Sequence, residues 1–241
     1  MALSDFFSAE GKLRRLGKKV TEKYGPPENR QKVIEQLAQM DTPEALSTLL
    51  LRFTINSDPS ITDAEEKQHV FDLVLDAGEK AVGPLRDFVR RQESISWALR
   101  LLAELLPAEE VTAIVISELT RLGPEYTRDP EKKVQLINWL AEHRGEPPDA
   151  RVGPLLPQFL DDMSDDVKLA ALRAIVAERL ETAREHLLTA FVHPDQSARV
   201  RQALAAALAD SGFGVQGYRE KVEALLLEPY YVDKTGVVKR R

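Results

Sequence analysis

The 241-residue sequence has no cysteine, only 6% aromatic residues, and no apolar run near the roughly 18 residues that a membrane-spanning helix needs. The first absence excludes disulfides, thiolate metal sites and cysteine nucleophiles. The second argues against a β-sandwich, which is built from aromatic and β-branched side chains. The third leaves no candidate bilayer span. Catalytic signatures are missing as well: no GxSxG, P-loop or EF-hand loop occurs. The four histidines, His69, His143, His186 and His193, form no HExxH, and none is followed by glutamate. No metal or cofactor is therefore expected. Met1-Ala2-Leu3-Ser4-Asp5 has neither the charged flank and apolar core of a signal peptide nor a glycine for myristoylation, so the expected location is cytoplasmic.

Alanine and leucine dominate what is present. The chain is 43% hydrophobic and 30% charged, enough apolar material for a large core of closely packed helices. The net charge of −6 is unevenly spread. Residues 1–30 carry seven Lys/Arg against four Asp/Glu, and residues 229–241 carry four against one, which leaves −12 for residues 31–228. An acidic body between basic ends repels phosphate backbones, which argues against nucleic acid as a partner.

Val-Gly-Pro-Leu occurs at Val82–Leu85 and again at Val152–Leu155, 70 residues later. That is two periods of about 35, the spacing of a helical-hairpin array. The clearest unit runs from Arg151 to Arg179. Gly153-Pro154 opens a helix, Leu155, Leu156, Phe159 and Leu160 give its apolar stripe, and Asp161-Asp162-Met163 breaks it. Ser164 reads as the N-cap of a second helix that buries Val167, Ala170, Ala171, Ala174 and Ile175. Leu187, Leu188 and Phe191 repeat the first stripe, and Val200-Arg201 repeats Val167-Lys168. Upstream, the same reading pairs Val82–Arg91 with Ser94–Leu106, Glu109–Leu122 with Glu131–His143, and Pro43–Thr54 with Ala64–Leu75. It places helices over Leu3–Tyr24, Glu28–Met40 and Tyr218–Leu227.

The pattern Gly-Pro-Leu-Leu…Phe-Leu-Asp-Asp…Asp-Asp-Val-Lys…Ala-Ala-Leu resembles HEAT repeats of the short bacterial type also found in phycobilin-lyase-like proteins. The Val-Arg signature degenerates to Trp97-Ala98 and Val134-Gln135 in the middle units. The resemblance implies an all-α fold, a right-handed α-solenoid of stacked antiparallel hairpins with about 12–13 helices. The array covers 1–228, with 1–40 as N-terminal capping helices. Residues 229–241 form a basic tail, either a short hairpin around Lys234-Thr235-Gly236 or a loose extension. The fold itself names no reaction.

Several motifs have a functional and a structural reading. Gly212-Phe213-Gly214-Val215-Gln216-Gly217 spells a dinucleotide fingerprint, but an alanine-rich helix precedes it, so a helix C-cap is expected. Trp97 and Trp139 could stack on a ligand, but their repeat registers point into the core. Lys12, Arg14, Arg15, Lys18 and Lys19 make a basic amphipathic segment whose stripe is Leu13, Leu16, Val20 and Tyr24. A capping helix is preferred there over a membrane or nucleic-acid surface.

The resemblance places second helices on the concave surface, where Arg100, Lys168, Arg173 and Arg201 are the candidate partner contacts. Their rival role is a ladder in which Lys168 and Arg201 pair with Asp165, Asp166 or Asp195. The functional expectation is a non-catalytic scaffold or adaptor for a protein partner. The alternative is an accessory enzyme, DNA-repair-like or chromophore-lyase-like, on the same frame.

Overall fold

A computed structural model of the chain describes residues 8–178 and 180–241. The predicted start of the first helix at Leu3 lies outside them. Among the described residues there are thirteen α-helices and one two-stranded ribbon. No helix is long and apolar enough to cross a membrane. The chain divides into two compact units, residues 1–111 and 112–241.

The first unit holds α1 (Ala9–Val20), α2 (Pro27–Met40), α3 (Pro43–Leu50), α4 (Ser60–Asp76), α5 (Val82–Arg91) and α6 (Ser96–Leu105). Local chemistry sets the ends. The Ser8 hydroxyl accepts from the Gly11 amide at 2.9 Å, and Thr42 caps α3 just before Pro43. Asp41 takes the left-handed conformation (φ 45°) that closes α2. Each helix packs on the next but one, and all except α4 also pack on the next: α1, α3 and α5 form one layer, and α2, α4 and α6 the other. The helices thus cover one another's apolar faces. Ile34, Leu37, Leu49, Val70, Leu85 and Leu99 are at most 1% exposed.

Helix α7 (Ala108–Leu122) leads into the second unit. There follow α8 (Glu131–Glu142), α9 (Val152–Leu155), α10 (Asp165–Ala177), α11 (Arg184–Val192), α12 (Ala198–Ser211) and α13 (Arg219–Leu225). Second helices α8, α10 and α12 pack side by side, while α11 packs on α13 and on the 3₁₀ turn after α9. Ala171, expected in the buried stripe, is 0% exposed.

Three details differ from expectation. The helix opened by Gly153-Pro154 is α-helical for one turn only and continues as a 3₁₀ helix, Leu156–Asp161. Pro157 lacks the amide that an α-helical ladder needs there. Ser164 stands at the N-cap of α10, but its hydroxyl makes no capping bond. Its amide instead donates to Asp162 Oδ1 at 2.8 Å. Tyr24 lies beyond the end of α1 and is 88% exposed, so it leaves the stripe of Leu16 and Val20. The tail forms the hairpin of the two readings. Strands β1 (Tyr230–Val232) and β2 (Val238–Arg240) pair antiparallel, β2 packs on α12, and Val238 is 0% exposed. Gly212 is the left-handed C-cap of α12 (φ 67°), as the helix before the glycines implied.

Candidate partner-binding groove

Three helices, α2, α8 and α12, start with the same latch. A cation in the first turn reaches back to a loop carbonyl eight residues earlier: Arg30 to Glu22 (3.0 Å), Lys133 to Glu125, and Arg201 to His193 (2.8 Å). Arg201 also donates to the Phe191 carbonyl at 3.3 Å. Each bond satisfies a main-chain acceptor near the end of the preceding segment and draws the two helices of a hairpin together. Lys133 is buried and also donates to Asp162 at 2.7 Å.

In the first unit the latch cation belongs to a buried charge cluster. Glu66 lies between two guanidiniums, 2.9 Å from Arg30 and 2.9 Å from Arg52. Arg52 also holds Asp63 at 2.7 Å, and Lys67 holds the same carboxylate at 2.8 Å. Burial by itself would raise the Asp63 pKa. Hydrogen bonds from Lys67, Arg52 and the Ser57 amide outweigh it and bring the value down from 3.8 to about 2. Burial likewise works to raise Glu66, and the hydrogen bonds from Arg30 and Arg52 overcome it, so its pKa is lowered too. The cluster is charged at neutral pH, with three cations against two carboxylates. It fastens α2, the turn after α3, and α4.

Above it, between α2 and α4, lies a groove of about 450 Å³ lined by Pro27, Glu28, Gln31, Lys32, Glu35, Thr62, Glu65, Glu66 and His69. Glu66 is neutralised from below. Glu28 and Glu65 have no ion-pair partner among the described residues, and Glu35 accepts only from the Gln31 amide at 3.0 Å. Three carboxylates therefore face one ammonium, Lys32. His69 Nε2 is buried and has no hydrogen-bond partner. The groove lies in the α2–α4–α6 layer, the layer of second helices. Another cavity, about 570 Å³, sits by the ends of α10 and α12, with Ile175, Val176, Leu180 and Phe213 beside Asp210.

The four candidate partner contacts fall on the second-helix layers, but three are engaged within the fold. Arg100 lies 4.7 Å over the Trp97 ring and 5.2 Å from that of Phe71. Lys168 donates to Gln196 Oε1 at 3.0 Å, and Arg201 forms the latch. Arg173 is exposed on α10. A ladder joins the starts of α10 and α12, with different rungs from those expected. Asp165 accepts from Ser197 (2.7 Å) and Asp166 from Arg199 (3.0 Å). Lys168 and Arg201 point elsewhere because Gln196 and two main-chain carbonyls offer nearer acceptors.

Lys12, Lys18 and Lys19 are exposed on α1, with Arg14 outward and Arg15 half-buried. The opposite face of α1, Leu16, Gly17 and Val20, is buried against α2 and α3. Trp97 is half-buried and stacks on Phe53 (5.4 Å, 1° between planes). Trp139 is 8% exposed and stacks on the His143 ring at 3.5 Å. Among the described residues, no group of three or more His, Asp or Glu side chains is placed to hold a metal ion.

Sequence reasoning missed the groove and the cluster beneath it. Arg30, Asp63 and Glu66 are three separate charges in a polar stretch, and no motif joins them. In comparisons with known proteins, the chain matches no family model and no curated protein significantly.

Proposed function

We propose that the chain is a non-catalytic helical-repeat scaffold of HEAT-like type, its hairpins stacked as a solenoid, that binds a protein partner on the layer of second helices. One observation carries this reading. The strongly perturbed buried ionisable groups are consumed in holding helices together, while the groove beside them keeps unpaired charge at the surface. Perturbed groups in a catalytic centre face a substrate; Asp63 and Glu66 face Arg52 and Arg30. The accessory-enzyme alternative calls for an exposed aromatic side chain beside an acid. Trp97 is instead covered by Arg100, and Trp139 is buried.

Site-specific photo-crosslinking in the native cell tests the proposal. A photoreactive residue replaces Glu65, Arg100 or Arg173 on second helices, with Ser47 and His186 on first helices as controls. The expected result is one discrete protein adduct shared by second-helix positions and absent from the controls. Adducts only from Ser47 or His186, or none from any position, would refute it.

A further inference from the structure

We propose that the cavity at the C-terminal ends of α10 and α12 is a binding site for an organic ammonium group carried on an apolar body. This goes beyond the scaffold reading and does not rest on it. At about 570 Å³ the space has the size of a small-molecule pocket. It lies within the second unit. Ile175 and Val176 of α10, Leu180 just after it, and Phe213 form the apolar walls. Phe213 belongs to the glycine-rich segment that follows α12. Gly212 turns the chain there in the left-handed conformation (φ 67°). Arg184 then donates to the Gly214 and Gln216 carbonyls, each at 2.7 Å, and the Val215 amide donates to the Gly236 carbonyl at 2.7 Å. The main chain beside Phe213 is therefore fixed, and this wall stands before a guest arrives.

The polar side of the cavity is negative. Asp210 is the one charged residue in the described lining, and Ser211 lies next to it. Neither side chain has a hydrogen bond or ion pair among the described residues. The carbonyls of Ala209, Asp210 and Ser211 accept no main-chain hydrogen bond there either. Such terminal carbonyls point out of the end of a helix. The last turn of α12 thus offers a carboxylate and the negative end of the helix dipole to one apolar space.

That placement is unfavourable for the fold alone. A carboxylate in the last turn opposes the dipole, and α12 has no basic residue there to offset it. A bound ammonium removes the conflict. Its N–H groups serve the carboxylate and the open carbonyls, while its hydrocarbon or aromatic body covers Leu180 and Phe213. A neutral molecule of the same shape gains only the apolar contact, and an anion is repelled. A free arylalkylamine and a lysine side chain on a peptide share this chemistry.

Titration of the full chain, followed by amide NMR shifts, tests the assignment. The probes are phenethylammonium, the neutral phenylethanol, the anion phenylacetate and a blocked Phe-Lys dipeptide. Phenethylammonium should bind at least tenfold tighter than phenylacetate and severalfold tighter than phenylethanol. A tighter dipeptide supports the ammonium site with a peptide lysine as its source; a weaker one supports it with a free amine.

Asp210→Asn should abolish the preference for amine over alcohol and change alcohol binding less than twofold. It should also raise the melting temperature of the unliganded chain by about 1–3 °C, because the conflict with the dipole is gone. Ala177→Trp, at an exposed position of the lining, should fill the space and weaken every probe at least tenfold with the melt retained. Glu65→Gln, in the first unit, should change nothing by twofold. Equal affinity for amine, alcohol and acid, a preference that survives Asp210→Asn, or binding indifferent to Ala177→Trp would overturn the assignment. The crosslinking outcomes bear on the scaffold reading alone.

Discussion

Replacing Glu66 by glutamine deletes one negative charge and almost no volume. Arg52, 0% exposed, keeps Asp63 at 2.7 Å. Arg30, 2% exposed, keeps only the Glu22 carbonyl at 3.0 Å and the Ser57 hydroxyl at 3.4 Å. A buried cation without a counter-ion costs about 3–5 kcal/mol. Total stabilities are about 5–15 kcal/mol, so this is a large fraction. At about 2–4 °C per kcal/mol for a chain this long, the melting temperature should fall by about 6–20 °C.

The two units can be read separately, because Trp97 lies in the first and Trp139 in the second. In a Trp139→Phe background, urea unfolding followed by emission reports the first unit. Adding Arg30→Met to Glu66→Gln removes the stranded cation and should recover more than half the loss in a double-mutant cycle. A loss below about 1 kcal/mol for Glu66→Gln, or no recovery in the double variant, would refute the view that this cluster fastens α2 to α4.

Three further outcomes are expected. Asp63 and Glu66 have folded pKa values below their ordinary ones. The stability they confer is therefore complete above about pH 4.5 and is lost as pH falls toward 2, with Asp63 alone accounting for about 2 kcal/mol. Urea midpoints at pH 7, 4 and 3 will show the decline, and a flat profile excludes it. Arg201→Glu breaks the bonds to Phe191 and His193 and sets a negative charge by the end of α11, at a cost of about 1–2 kcal/mol. An unchanged melt would mean that the latch contributes nothing. Gly17→Ala should stabilise by up to about 1 kcal/mol through helix propensity. The added methyl would meet Thr48 Cγ2 at 3.4 Å and Leu51 Cδ1 at 3.5 Å, ordinary contact. A lower melting temperature would show that α1 sits closer than those distances imply.

Helices were legible where apolar spacing and punctuation agreed. Val82–Arg91 is bounded by Gly83-Pro84 at its start and a polar turn at its end, and its predicted limits match the structure. The stripe through Val167, Ala170 and Ala171 is buried as its 3.6-residue period demands. The limits of local pattern show at Pro157, where a missing amide turned an expected α-helix into 3₁₀, and at Tyr24, where the helix stopped one turn before the stripe did. The groove was illegible for another reason. Its residues come from two helices separated by a loop and a third helix, and their chemistry appears only when α2 and α4 lie side by side. Lys133 was overlooked because the Val-Arg signature was aligned to Val134-Gln135. The cation had moved by two places while keeping its eight-residue reach.

The loop carbonyls that receive Arg30, Lys133 and Arg201 explain how such drift is tolerated. A main-chain oxygen is present whatever the side chain, so Glu22, Glu125 and His193 share no chemistry and need none. Only the donor end is under constraint. A substitution at Glu22, Glu125 or His193 therefore leaves the acceptor in place, whereas loss of the cation removes the bond.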